Sequence, residues 1–291
     1  MGMRIRTNVP AITAQRFMSD NKDAMSKSLE RLSSGYRINK SADDAAGLAI
    51  SESLRGKIRG LNVAKRNAND AVSMVQVAEG SMNEMTNILI RLRELTVQSS
   101  TDTIGERERS FLNREYTQLA DEIDRIGNST EFNGIKIFDK EADRDQFVIQ
   151  VGTNGTTPDM NTDTIAISLA GLKFNTADLG IGKEAEIGSV DGGPGPSMED
   201  ISSKLNVIDE ALNKIASERA TLGSVQSRLG SALSNLAINV ENMETAKSRI
   251  KDVDFASETA ELTQARILTS STTAVLQQAN AAPEQVLQLL R

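Results

Sequence analysis

The chain contains neither cysteine nor histidine. Their absence excludes thiol nucleophiles, disulfides, imidazole acid–base catalysis and zinc sites built from these two residues. Tryptophan is also absent, and aromatic residues make up only 3% of the chain. Rounded globular cores usually depend on aromatic bulk. We therefore expect a core of Leu, Ile, Val, Met and Ala, which suits long helices packed side by side.

Long apolar runs and excess positive charge are missing as well. No run approaches the roughly 18 residues of a membrane span, so no membrane partner is expected. The net charge of −7 and the pI near 5.0 argue against nucleic acid, whose binding needs a basic face. Residues 1–7 lack the apolar core of a secretory signal, so we expect any export to proceed without a cleaved signal peptide.

Two heptad seams dominate the 291 residues. Alternate steps of four and three from Ile50 to Thr96 reach apolar residues at twelve of fourteen positions, and from Ile201 to Met243 at eleven of thirteen. This spacing predicts two supercoiled helices, each roughly 65–70 Å long. We expect the rod core to be lined by Leu61, Val75, Met82, Leu89, Leu92, Leu205, Leu212, Leu222 and Leu233.

Helix starts and a small β insert are also predicted. Ser41 with Asp44, and Ser197 with Asp200, fit capping boxes. A shorter seam from Leu112 to Ile126 predicts a third helix. The alternating patterns at 146–151 and 164–169 predict two strands of a hairpin-like insert near residues 134–196.

Both ends of the chain show thin helical seams. At the N-terminal end the seam holds Met18, Met25, Leu29, Leu32 and Tyr36, with Lys22 at one position. At the C-terminal end it holds small residues, together with Ile267: Ala256, Ala260, Thr263, Ile267, Ser270 and Ala274. Such faces bury too little apolar area to hold an isolated helix, so we expect the ends to need partners.

Residues that could carry chemistry have simpler interpretations. Asp43 and Asp44 could form an acid–base pair, but negative charge at a helix start is favoured by the helix dipole. Residues 152–155 lack the lysine and the following helix of a phosphate loop, and indicate a turn. Neither an enzyme activity nor a cofactor is predicted.

Several segments resemble the bacterial flagellin family. Glu30-Arg-Leu-Ser-Ser-Gly35-Tyr-Arg-Ile-Asn39, Asp43-Asp44-Ala-Ala-Gly47 and Arg66-Asn-Ala-Asn-Asp70 resemble its N-terminal signature. Glu131-Phe-Asn-Gly134 resembles a turn of the family. Ala246-Lys-Ser-Arg-Ile250-Lys-Asp and Val286-Leu-Gln-Leu-Leu-Arg291 resemble its C-terminal region.

The resemblance implies a mainly α fold, a long antiparallel coiled-coil helix bundle with a small β-hairpin insert and paired terminal helices. Residues 1–44 and 251–291 would be the two halves of a terminal helical layer lining the filament channel, and residues 45–250 a helical rod domain. Assembly contacts are expected on the terminal helices at Met18, Met25, Leu29, Leu32, Ile267 and Ala274. The family's outer domains are expected to be absent.

The implied function is that of a structural subunit that polymerises into the flagellar filament for swimming motility, outside the cell. Type III export and partnership with an export chaperone, a filament cap and hook–filament junction proteins are also implied. The alternative is a hook–filament junction protein, which shares the terminal helices. In the family, a vertebrate innate receptor contacts a stretch resembling Arg91-Leu-Arg-Glu-Leu95-Thr-Val-Gln98, so Arg91, Leu95 and Gln98, with Glu115 on the next helix, are expected contacts.

Overall fold

The computed structural model describes residues 7–138, 146–153, 163–168, 174–182, 187–188 and 197–289. Helices dominate these residues, which confirms the mainly α fold. In chain order the elements are α1 Val9–Ser34, α2 Ala45–Ser99, α3 Glu106–Ser129, β1 Glu131–Phe132, β2 Ile135–Lys136, β3 Gln146–Gln150, β4 Thr164–Ser168, α4 Met198–Lys251 and α5 Phe255–Leu289. Within the described ranges no helix is long and apolar enough to cross a lipid bilayer.

The chain divides into two compact units. Residues 1–58 and 241–291 form one, here called the terminal unit, and residues 59–240 form the other, here called the central unit. The terminal unit contains α1, α5 and the adjoining ends of α2 and α4. The central unit contains the remainder of α2 and α4 with α3 and the four strands.

The central unit is built on the heptad seams of α2 and α4. From Leu61 onward the predicted positions of α2 are buried, and none of the predicted α4 positions of this unit is exposed. Of the expected core residues, Leu61, Val75, Met82, Leu89, Leu92 and Leu222 are buried, whereas Leu205, Leu212 and Leu233 are partly exposed. The partly exposed residues lie at the edge of the stripe, while Ala211 and Val225 are buried beside it.

The seam of α2 follows a different phase in its first turns. Ile50 and Lys57, which the even heptad count places in the seam, are exposed. The buried or half-buried positions there are Ser51, Leu54 and Ile58. A lysine ammonium is costly to bury, so the stripe turns by one position to bury Ile58, and consecutive steps of three then reach Leu61 and Ala64.

The two predicted capping boxes have different outcomes. At the start of α4, the Ser197 hydroxyl accepts from the Asp200 amide at 3.2 Å and the Asp200 carboxylate accepts from the Ser197 amide at 3.1 Å, as a capping box requires. At the start of α2 the prediction of Ser41 is wrong. Asp44 caps that helix by accepting from the Gly47 amide at 2.8 Å, because the helix begins at Ala45.

The insert packs on the helices through strands and buried polar contacts. β3 and β4 pair antiparallel, with Gln146 opposite Ser168 and Gln150 opposite Thr164, as the alternating pattern predicts. Residue 169 and much of the predicted insert lie outside the described residues. Ile187 is held on both sides of its backbone, since its amide donates to Asn113 at 2.9 Å and its carbonyl accepts from Ser99 at 2.7 Å.

Candidate functional site

Helices α1 and α5 pack against each other in antiparallel orientation within the terminal unit. Steps of three and four connect the least exposed positions of each helix. On α1 these positions are Ala11, Ala14, Met18, Asn21, Met25, Ser28 and Leu32, and on α5 they are Glu258, Leu262, Ala265, Thr269, Thr272, Leu276 and Ala279. The pairing seam is therefore a regular heptad seam made largely of small and polar residues.

Polar contacts cross this seam near both ends and in the middle. The Asn8 side-chain amide donates to the Ala279 carbonyl at 2.9 Å. The Asn21 side-chain amide donates to the Thr272 hydroxyl at 3.0 Å. Near the other end, the Arg31 guanidinium donates to the Glu258 carboxylate at 3.4 Å. Because each contact needs one particular partner opposite it, together they fix one antiparallel register.

The N-terminal seam differs from the sequence prediction at alternate positions. Met18, Met25 and Leu32 are half-buried at the seam as expected, but Leu29 is 43% exposed. Ser28 takes its place and is buried, and Asn21 takes the place of Lys22. Small polar side chains can be buried here because they hydrogen-bond and let the helices approach, whereas a lysine cannot.

The C-terminal seam lies on the opposite side of α5 from the predicted one. Ile267 is 61% exposed, and Ala274 is exposed as well. The seam that packs on α1 includes Leu262 and Leu276, which bury more apolar area than the Ala and Thr residues of the predicted stripe. α5 thus has two heptad stripes, of which α1 covers only one.

The uncovered stripe of α5 is uncharged and shallowly grooved. Ala256, Thr259, Ala260, Thr263, Gln264, Ile267 and Leu268 line the groove. Residues 267–283 contain no charged side chain at all. Solvent-facing helix surfaces normally carry charge, so a helix without it over this length is typical of one that is enclosed by other chains.

A second predicted site lies on the surface of the central unit. The Arg91 guanidinium donates to the Glu115 carboxylate from Nε at 2.9 Å and from Nη2 at 2.7 Å, and to Glu94 at 3.0 Å. These bonds, that to Glu115 foremost, hold the pKa of Arg91 above its ordinary value. Arg91 and Gln98 are exposed, and Glu115 is partly so. These three hydrogen bonds to carboxylates leave Arg91 charged and oriented between α2 and α3.

Leu95 does not join that surface. Its exposed fraction is 0%, and it belongs to the main hydrophobic cluster of the central unit. The expectation that it contacts a partner beside Arg91 is wrong for this structure. The buried face of α2 is wider than a single heptad stripe, so the position four residues after Arg91 points into the core.

The paired aspartates at the start of α2 have structural partners. Asp43 accepts from the backbone amides of Asn39 and Lys40, at 3.2 and 3.1 Å. These bonds, with a smaller contribution from Lys27, hold the pKa of Asp43 below its ordinary value. Asp44 is the helix cap. Across the described residues no cluster of His, Cys, Asp or Glu could hold a metal ion.

Comparison with known proteins identifies the family. The description "bacterial flagellin N-terminal helical region" matches residues 5–143, and "bacterial flagellin C-terminal helical region" matches residues 205–290. The chain belongs to the bacterial flagellin family. That family is one of structural proteins, in keeping with a site built from helix surfaces.

Related proteins align with this flagellin over nearly its full length. It is 41% identical to a flagellin of Bacillus subtilis over 310 aligned residues, which cover 99% of this chain and 100% of the relative. It is 38% identical to the flagellar filament 33 kDa core protein of Treponema phagedenis, with the same coverage of both chains. A solved structure from Vibrio parahaemolyticus, described as a flagellar hook-associated protein, has a TM-score of 0.58 at 14% identity and covers 72% of this chain and 100% of its own, which shows a shared fold.

Proposed function

We propose that this flagellin is the structural subunit of a bacterial flagellar filament, in which copies of the chain polymerise outside the cell for swimming motility. The observation that carries the proposal is the uncovered stripe of α5. Among the described residues, α1 covers one face of α5, and the uncharged stripe on the opposite face of α5 stays exposed.

The energetics of the terminal pair support polymerisation. Its seam buries few large apolar side chains. Six large apolar side chains of α1 and α5 remain at least half exposed: Val9, Ile12, Phe17, Phe255, Ile267 and Val275. Ordering two long helices costs conformational entropy that such a thin seam offsets poorly. Contacts with neighbouring copies would bury the remaining apolar area and supply the missing free energy.

The alternative is a hook–filament junction protein. Likeness to the hook-associated protein is limited to the fold, since the two chains are only 14% identical. The relatives at higher identity are named as flagellins and as a filament core protein. These names favour the filament subunit. The two roles differ in a measurable way, because a filament subunit extends a filament seed with its own copies.

Further partners follow from the same proposal. A subunit that reaches the filament tip through the type III export apparatus needs an export chaperone before export, and a filament cap and hook–filament junction proteins at assembly. The uncharged stripe of α5, exposed on the free subunit, is the surface that a chaperone would have to cover. We assign these partners to the free or newly exported chain, and neighbouring subunits to the assembled one.

Recognition by a vertebrate innate receptor is proposed for the Arg91 surface. The proposed contact residues on this surface are Arg91, Gln98 and Glu115, and Leu95 is not among them because it is buried. The receptor would meet a guanidinium already held in place by Glu115, at the exposed boundary of α2 and α3. A pre-oriented arginine loses little conformational freedom on binding and is a good interface anchor.

Seeded polymerisation tests the proposal. Purified protein added to sonicated filament seeds should extend them, as seen by electron microscopy and by sedimentation. Deletion of residues 271–291 should abolish extension while the thermal transition of the central unit is kept. Failure of the full chain to extend seeds under all salt conditions would contradict the proposed function.

Single substitutions on exposed apolar positions sharpen the test. Ile267→Ser removes an exposed residue from the uncovered stripe, and Val148→Ser removes one of similar exposure from β3. Ile267→Ser should raise the concentration needed for polymerisation about tenfold, as expected for the loss of one well-buried aliphatic side chain at an interface. Val148→Ser should change it by less than about twofold. Equal effects would remove the assigned role from α5.

A further inference from the structure

Two connectors lie at the same end of the antiparallel α1/α5 pair and bind each other. Residues 35–44 link α1 to α2, and residues 252–254 link α4 to α5. Tyr36 and Asp252 form an antiparallel bridge. The Arg37 amide donates to the Lys251 carbonyl at 2.7 Å, and the Val253 amide donates to the Gly35 carbonyl at 3.0 Å. The two chain segments, more than 200 residues apart in sequence, thus form a short ladder.

An apolar plug holds this ladder against α2. Ile38 is 2% exposed, although it lies in a connector. It packs at Gly47, where a Cβ atom would lie 2.8 Å from the Ile38 Cδ1 atom and 2.5 Å from the Asp44 Oδ2 atom. A side chain at residue 47 would therefore require the Ile38 and Asp44 side chains to shift.

Polar contacts tie the same place to α1 and α4. Asp43 binds two backbone amides of the connector and lies 3.3 Å from the Lys27 ammonium of α1. Lys251, the last residue of α4, lies 3.6 Å from Glu52 of α2 and above the ring of Tyr36 at 4.9 Å from its centroid. Four helices thus meet at these connectors, which we call the joint, defined as residues 35–44, 47 and 250–254.

We propose that the joint couples the ordering of the α1/α5 pair to that of the adjoining ends of α2 and α4, so that the terminal unit forms as one cooperative piece. Gly47 and Ile38 are its positioning residues. The ladder requires both connectors at once, and the plug requires α2, so no helix of the terminal unit can release without breaking contacts to the others. A subunit with a broken joint must order more independent pieces when it joins a polymer.

The inference rests on the proposed function for its polymerisation readout, and a pair of glycine substitutions tests it. Gly47→Ala places a methyl group into Ile38 and Asp44, whereas Gly56→Ala in the same helix meets nothing within 4 Å. Amide hydrogen exchange of the assembled polymer should show protection of Arg37 and Val253 in the wild type and in Gly56→Ala. In Gly47→Ala these two amides should exchange at least about tenfold faster, and so should α1 and α5.

Polymerisation gives the second readout. Gly47→Ala should need a concentration at least about tenfold higher than wild type, with the thermal transition of the central unit unchanged, and Ile38→Ala should behave like Gly47→Ala. If Gly47→Ala leaves both exchange and critical concentration equal to those of Gly56→Ala, the joint does not couple the helices. If only Arg37 and Val253 lose protection, while α1 and α5 keep it, the coupling is also refuted. A wild-type chain that does not polymerise would instead refute the proposed function.

Discussion

Glu258 of α5 and Arg31 of α1 form an ion pair across the terminal helix seam, with 3.4 Å between Oε2 and Nη1. The carboxylate is nearly buried, while the guanidinium keeps about a quarter of its surface in solvent. The contact lies about one helical turn from the joint and sets the helices in register. A buried carboxylate without its cation is costly, so the pair is sensitive to the loss of one partner.

Arg31→Ala should weaken the α1/α5 pair, because it leaves the Glu258 carboxylate buried and uncompensated. The loss should reach about 2–3 kcal/mol, below the value for a fully buried pair because Arg31 is partly hydrated. The increase in the critical concentration for polymerisation measures this loss of free energy. The charge exchange Arg31→Glu with Glu258→Arg should recover at least half of the loss, and Arg31→Ala with Glu258→Ala should recover some. A double exchange no better than Arg31→Ala would show that the pair does not set register.

Acid should loosen the terminal unit through Asp43. Because its pKa is lowered in the folded state by the amides of Lys40 and Asn39, Asp43 adds stability that is fully present above its ordinary pKa of 3.8. That stability declines as the pH falls through the lower pKa of the folded state. Hydrogen exchange at Asn39 and Lys40, followed from pH 5 downward in the assembled polymer, should show this loss of protection.

Asp43→Asn should remove that acid dependence, since the amide cannot titrate. It should also speed exchange at Asn39 and Lys40 at pH 7, because a neutral acceptor binds the two amides more weakly than a carboxylate. Asp20→Asn, at an exposed position of α1, is the control and should leave the profile of the joint unchanged. An acid profile that persists in Asp43→Asn would assign the effect to other carboxylates.

Leu89→Ala should destabilise the central unit by about 2–5 kcal/mol, since Leu89 is fully buried in its main hydrophobic cluster. Leu212→Ala removes the same side chain from a partly exposed position on α4 and should cost about half as much. Urea unfolding followed by circular dichroism compares the two. Both variants should polymerise less well only in proportion to the decrease in the fraction of folded subunits. If both substitutions lowered the free energy of unfolding equally, burial in the subunit would not explain how much each leucine contributes to stability.

Arg91→Ala should weaken binding of the free subunit to the innate receptor by about 1–2 kcal/mol, the range of a moderate interface anchor. Arg93→Ala is the matched control. Arg93 has nearly the same exposure and also pairs with a carboxylate, that of Asp209 at 2.8 Å, but toward α4. Surface plasmon resonance on monomers gives both affinities. Equal losses, or no binding by the wild type, would show that the Arg91 surface serves only contacts between subunits.

The helical architecture and the family can be read from patterns along the chain. Heptad spacing is a property of the chain, and from Leu61 to Thr96 it places the buried stripe of α2 correctly, because long apolar repeats leave one choice of buried face. The alternating runs determine β3 and β4, and the Ser197–Asp200 pair determines the start of α4, for the same local reason. The motifs around Ile38 and Gly47 identified the family without showing what these residues do.

Which faces the weakly patterned segments bury depends on long-range packing. α5 carries two possible stripes, and only packing against α1 shows that Glu258, Leu262 and Leu276 face inward while Ile267 faces outward. On α1 the same packing prefers Asn21 and Ser28, which hydrogen-bond or fit closely, over larger neighbours that a hydrophobicity pattern favours. Leu95 is buried because α2 contacts more than one element, and the joint exists because residues 36 and 252 meet. Such choices depend on which surfaces meet in space, and periodicity along one helix does not contain that information.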